Sequence, residues 1–246
     1  MKNFKMILQY EGTRYQGWQR QDTSENTIQG KLERLLEKLA GEPVEVQASG
    51  RTDAGVHAYG QVANFKMNTD LTPEELRDTI NRYLPEDIGV IVLTDGSPLF
   101  HSSYNEPCKL YRYRLLNSPR PHIFDRRYVY QVPESLDIGA MKKAAEFLIG
   151  EHDFQSFTSA KKGKKSTVRR IDEIRIETVS DEIQFIFRGN GFLYHMVRII
   201  MGTLLSVGKG ELDAKEIRNI LTAKDRQKAG PLVPAKGLAL MEVFYE

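Results

Sequence analysis

Apolar residues recur along the chain with two different periods, and the changes of period lay out its elements. Residues 6–10 read as a first strand. Ile28, Leu32, Leu35, Leu36 and Leu39 then follow at spacings of three and four, with Lys31, Glu33, Arg34, Glu37 and Lys38 turned away. That spacing predicts an amphipathic helix. Residues 44–48 alternate apolar and polar as a half-buried strand does, and residues 60–67 are again strand-like. Thr72-Pro73-Glu74-Glu75 combines a hydroxyl cap, a first-turn proline and a carboxylate three residues after the cap, so it predicts a helix start. Leu76, Ile80 and Leu84 carry the stripe of that helix, and residues 88–93 form a short β-branched run. The order β-α-β-β-α-β is a split βαβ unit of ferredoxin-like type.

The second half has the same texture. Strands are predicted over 110–116, 127–132, 171–177, 183–187 and 238–244, and helices over 138–149, 193–207 and 214–221. Pro98 and neighbouring serines interrupt the pattern near 97–104. The expected fold class is therefore α+β: two ferredoxin-like-type α/β halves with mostly antiparallel sheets and an active-site cleft between them. The expected domains are residues 1–103 and 104–246.

Composition narrows the classes of function. The chain has 246 residues, ordinary charged and hydrophobic fractions and a net charge of +2, which does not by itself argue for nucleic acid. The lone Cys108 excludes an internal disulfide framework and fits a reducing, cytoplasmic setting, with a buried structural thiol as its expected role. Residues 1–10 do not form a secretory signal. The most apolar stretch, 192–207, contains His195 and Arg198 and is too short to span a bilayer, so it reads as a buried core helix. No histidine pair has helical ligand spacing, and His152-Asp153 lacks partners and reads as a turn. Gly163-Lys164-Lys165-Ser166 fails as a phosphate loop because Thr158 stands where the leading glycine belongs. Neither a metal nor a cofactor is expected.

One carboxylate stands out. Gly50-Arg51-Thr52-Asp53-Ala54-Gly55-Val56-His57-Ala58 presents Asp53 in a glycine-flanked connection between two strands, two residues after an arginine. A carboxylate can act as a covalent nucleophile if it stays ionised, which inside a cleft requires a nearby cation. Arg198 is a candidate, because an unpaired guanidinium on an otherwise apolar helix is costly; a structural carboxylate elsewhere would serve it equally. In Lys109-Leu110-Tyr111-Arg112-Tyr113-Arg114 the two tyrosines share one strand face and the two inner arginines the other, as in any half-exposed strand. Arg14, Arg20, Lys161, Lys162, Lys164, Lys165, Arg169 and Arg170 could form a phosphate-contacting surface or simply be solvated.

The nine-residue string around Asp53 resembles the signature of the tRNA pseudouridine synthase A family. Tyr10-Glu11-Gly12-Thr13, Gly17-Trp18-Gln19, Thr27-Ile28-Gln29, Lys109 to Tyr113, His152-Asp153-Phe154, Phe192 to Arg198 and Gly237-Leu238-Ala239-Leu240 stand in the family's order, so the resemblance covers nearly the whole chain. It implies a cofactor-free isomerisation of uridine to pseudouridine in the tRNA anticodon stem-loop. Asp53 would be the nucleophile and Arg198 its counter-ion. Tyr111 would lie against the uracil, and Arg51 would help hold the nucleotide out of its helix. It also implies a tRNA partner and a homodimer. The chain departs from the family pattern after Phe100-His101, where Ser102-Ser103 replaces Ala-Arg and Glu106 adds a carboxylate. Each change predicts weaker attraction for RNA phosphate there.

Overall fold

A computed structural model describes residues 1–104, 108–161, 163 and 165–245. The first elements in chain order are β1 (Lys2–Tyr10), α1 (Ile28–Ala40), β2 (Val46–Ala48), β3 (His57–Met67), α2 (Pro73–Tyr83) and β4 (Ile88–Asp95). They are followed by β5 (Cys108–Leu116), β6 (Tyr130–Gln131), α3 (Ile138–Glu146), β7 (Gly150–Asp153), β8 (Val168–Val179) and β9 (Glu182–Gly189). The last are α4 (Met196–Gly208), α5 (Glu216–Ala223) and β10 (Leu238–Phe244). The chain is α+β, and most neighbouring strands are antiparallel.

Two compact units divide it. The first holds Met1–Pro107 and Ala239–Glu246, and the second holds Cys108–Leu238. The sequence pattern assigns everything after residue 103 to the second domain, whereas the last strand lies in the first. Ala239 and Leu240 pair in parallel with His57 and Ala58 of β3. Parallel pairing joins segments far apart in sequence, and local patterning carries no trace of it.

In the first unit the strands run β4-β1-β3-β10, with β2 on β3. Phe4, Met6, Leu8 and Tyr10 alternate along β1 onto one buried face, as the period of two requires. Helix α1 starts at Thr27, whose hydroxyl accepts the Gly30 amide, and buries Ile28, Leu32 and Leu36. Helix α2 has the predicted capping box between Thr72 and Glu75 and buries Leu76 and Ile80. The cap and its first-turn hydrogen bonds hold Glu75 below the usual carboxylate range.

In the second unit β5-β9-β8-β7 is an antiparallel run, with the two-residue β6 parallel to β5. Helix α4 is its apolar centre; every residue is buried except Arg198 and Ser206. Three local readings change. The 127–132 segment contributes only Tyr130–Gln131 as strand. His152-Asp153 belongs to strand β7, not a turn, and its Asp153 carboxylate is bonded by Lys224 and Thr167. Burial opposes ionisation of Asp153, but those partners and the Gln155 amide outweigh it and hold its carboxyl below the usual range. Cys108 is half-buried, with its thiol 3.9 Å from Asp172 Oδ2. Among the described residues no helix is long and apolar enough to cross a membrane, and no three His, Cys, Asp or Glu side chains gather to hold a metal ion.

Candidate active site

The Asp53 connection is held by backbone. After β2 the chain turns through Ser49, whose amide donates to the Val62 carbonyl and whose hydroxyl donates to Gln61 Oε1. Gln61 in turn donates to the Gly50 carbonyl at 2.9 Å and to the Tyr10 hydroxyl at 3.3 Å. Tyr10 and Thr52 share a hydrogen bond of 2.9 Å. The segment between β1 and α1 closes over the loop from the other side. Trp18 N donates to Thr52 O at 3.0 Å, Gly55 N to Tyr15 O at 3.3 Å, and Val56 N to Asp53 O at 3.1 Å. This approach requires glycine at position 17, where φ is +91° and a Cβ would stand 2.8 Å from Thr52 O. Asp53 is thus half-buried on a loop in which Thr52 is held at both backbone and side chain and Gly55 at its backbone, while Arg51 is exposed beside it.

Burial pushes the Tyr10 hydroxyl up to about 12, against the opposing effect of its Thr52 and Gln61 hydrogen bonds, so it stays protonated through neutral pH. In the sequence Tyr10 stands only within the Tyr10-Glu11-Gly12-Thr13 motif, which does not mark this supporting role. The available signal was its place on β1: a tyrosine that continues a buried apolar face must find a polar partner.

In the second unit, Tyr111 and Tyr113 share the buried face of β5, as the alternation predicted, and Arg112 and Arg114 point the other way. The Tyr111 ring is 7% exposed and meets Phe192 edge to face, with centroids 5.2 Å apart. Arg114 makes a two-pronged bond to Glu182, at 2.8 and 2.7 Å, and so belongs to the framework.

Arg198 is the third residue of α4, one turn after His195 takes a left-handed conformation (φ 65°) and starts the helix. Its Nε donates to the Val233 carbonyl at 2.9 Å. That carbonyl is placed by a loop seated in close contact with α4. Gly202 leaves room for the Pro231 carbonyl, which a Cβ would meet at 1.8 Å. Thr203 Oγ1 accepts the Gly230 amide, and the Tyr113 hydroxyl donates to Pro234 O at 2.8 Å. A guanidinium in the first turn adds to the positive end of the helix dipole, so this position favours a negative charge opposite it. Val233 was missed at sequence level, since nothing in 224–237 marks which carbonyl will face the helix.

Asp53 and Arg51 therefore belong to the first unit, and Tyr111 and Arg198 to the second. The basic residues expected to touch RNA are variously engaged. Arg14 pairs with Asp87 at 2.6 Å, Arg20 with the largely buried Glu33 at 2.9 Å, and Arg170 with Asp172 at 2.8 Å. Arg169 donates to the Ser166 and Val168 carbonyls. Lys161 and Lys165 are exposed, while Lys162 and Lys164 lie outside the described residues. Glu106 lies outside them as well. Ser102 is buried and bonded to Asn64, Gln47 and Tyr245; Ser103 is exposed, its hydroxyl 2.9 Å from His101 Nδ1.

The family model described as tRNA pseudouridine synthase matches residues 6–105 and 144–246. Similar curated proteins include tRNA pseudouridine synthase A from Bacillus sp. (strain KSM-64), 45% identical over 245 residues. A tRNA pseudouridine synthase A 1 from Clostridium tetani is 48% identical, and a tRNA pseudouridine synthase A 2 from Bacillus cereus (strain ZK / E33L) is 41% identical. In all three cases the match covers 100% of both chains.

Proposed function

The chain belongs to the tRNA pseudouridine synthase family, and from that premise we propose that it isomerises uridine to pseudouridine on the 3′ side of the tRNA anticodon stem-loop. It is an isomerase of RNA. The reaction breaks the bond between uracil N1 and ribose C1′, turns the base and joins C5 to C1′; the C5 proton is lost and N1 takes one up. The chemistry is redox-neutral. Asp53 is the covalent nucleophile. Arg198 supplies the positive charge that keeps it ionised, Tyr111 lies along the uracil ring, and Arg51 supports the extruded nucleotide, whose unstacking costs a few kcal/mol. A planar guanidinium suits that last task, since it can both stack and bind phosphate.

The observation that carries this reading is the clamped Asp53 loop. Trp18, Tyr15, Tyr10 and Gln61 hold Thr52, Gly55 and Gly50 around it, which supports a backbone at Asp53 that is fixed before substrate arrives. Asp53→Asn removes the nucleophile but no phosphate contact. Turnover on unmodified tRNA transcripts, read by mapping pseudouridine, is expected to vanish while RNA affinity stays within a few-fold of the parent. Substantial pseudouridine formation by the variant would take Asp53 out of that role.

The enzyme acts in the cytoplasm as a homodimer, a symmetric pair sharing one RNA across both copies. Light scattering at micromolar concentration should give twice the 28.2 kDa chain mass. A fully active monomer there would refute the dimer.

A further inference from the structure

Two cations gather on the Tyr111 face of the second unit. In the antiparallel register Lys109 stands opposite Gly189, and Gly189 opposite Ile171 of β8. Residues directly opposite across antiparallel strands share a face, as do residues two apart along one strand. Lys109 therefore shares a face with Tyr111, about 7 Å along β5, and Arg169, two residues before Ile171, lies on that face too. The Arg169 side chain runs beside Gly191, in the turn that leads to Phe192, the ring packed on Tyr111. Lys109 is half-buried, and burial together with the Arg169 charge pushes its ammonium down to about 8. His152 of β7 faces Arg169 in the same row. Asp172 and Glu173, the carboxylates of this part of β8, pair instead with Arg170 at 2.8 Å and Arg175 at 3.6 Å. Two like charges have thus been brought together in a partly desolvated place at a cost to the free protein, an arrangement that a bound anion would relieve.

We propose that Lys109 and Arg169 hold the RNA phosphate flanking the uridine that stacks on Tyr111. This rests on the proposed function, since the uridine on Tyr111 is what brings a phosphate within reach. Lys109 is a positioning residue; it grips the strand beside the reacting nucleotide and touches neither the base nor the nucleophile.

The test compares wild-type protein, Lys109→Met and Lys109→Arg, each binding an unmodified tRNA transcript at several salt concentrations and at pH 8 in buffers of different ionisation enthalpy. Wild type should take up a fraction of a proton per RNA bound, since burial disfavours the free Lys109 ammonium and a phosphate beside it favours it. Lys109→Met should lose that uptake, bind about tenfold more weakly and show a salt slope lower by about one charge. Lys109→Arg, charged throughout, should restore affinity and slope but not proton uptake. Lys109→Met should also melt no lower than wild type, because it relieves a buried charge, so weaker binding would not reflect misfolding. Unchanged slope and proton uptake in Lys109→Met, from a wild type that forms pseudouridine, would overturn this inference alone. A wild type that forms none would overturn both it and the proposed function.

Discussion

At the scale of single residues, Tyr10, which helps hold the Asp53 loop, also shapes the alkaline stability of the chain. Tyr10 titrates near 10 when unfolded and near 12 when folded. Its contribution is therefore complete below pH 10 and is lost as pH rises toward 12, because the unfolded chain ionises first. Tyr15, Tyr113 and Tyr245 are shifted upward too, all mainly by burial. Lys109 has the opposite sign: its folded ammonium is disfavoured, so stability increases as pH rises from about 8 toward its unfolded value of 10.5. Denaturant unfolding should show stability rising modestly from pH 8 to 10 and falling beyond. Tyr10→Phe should cost about 1 kcal/mol at pH 7 through its lost hydrogen bonds and should soften the fall. A fall that starts below pH 9 would contradict this account. The motif around Asp53 was legible in the sequence because it is local and contiguous. Gln61 and Tyr10, which hold the loop, were not, because their partners are set by the pairing of β1 with β3.

Among the elements, local signals were read well wherever the physics was local. Helix α2 begins where its capping box does, and α1 follows its apolar stripe. Tertiary contacts decided the rest. β7 is only four residues long and is strand because β8 offers it a partner, with His152 opposite Arg169. α4 begins at Met196, not at 193, because the chain first makes a turn that ends at His195. The contact of α4 with the 224–237 loop matters most for the proposed chemistry, since it fixes the carbonyl to which Arg198 Nε donates. Gly202→Ala would set a Cβ 1.8 Å from the Pro231 carbonyl, so the loop must move away and carry Val233 with it. Overpacking of this kind costs about 1–3 kcal/mol. Turnover should drop by about tenfold or more, since misplacement of about 1 Å can cost as much as a hundredfold, while transcript affinity changes little. Chemical denaturation and single-turnover assays separate the two effects, and full single-turnover activity in this variant would show that Val233 does not position the guanidinium.

For the whole molecule, the first unit is assembled from both ends of the chain, and its completion waits on the last eight residues. The strand at 238–244 was legible as a strand, but its partner was not, because an apolar run states only that it will be buried. Its partner is the end of β3 that directly follows the Asp53 loop: Ala239 lies opposite His57, and His57 Nδ1 accepts the Gly12 amide at 3.0 Å. Gly60 admits the Met241 carbonyl, and the Tyr245 hydroxyl donates to Ser102 O at 2.7 Å. Leu240 and Val243 are 0% and 8% exposed. Burying two such side chains is worth about 3–6 kcal/mol, which rivals the 5–15 kcal/mol total of a typical domain. Deleting residues 239–246 should therefore leave the first unit without a cooperative melt and the enzyme without turnover. Tyr245→Phe, which loses one hydrogen bond, should cost only about 1 kcal/mol and stay active. Leu240→Ala should fall between them, at about 2–5 kcal/mol. Calorimetry of the three variants orders them directly. A truncated chain that melts cooperatively near the parent temperature and still forms pseudouridine would mean that β3 and the Asp53 loop hold their geometry without β10.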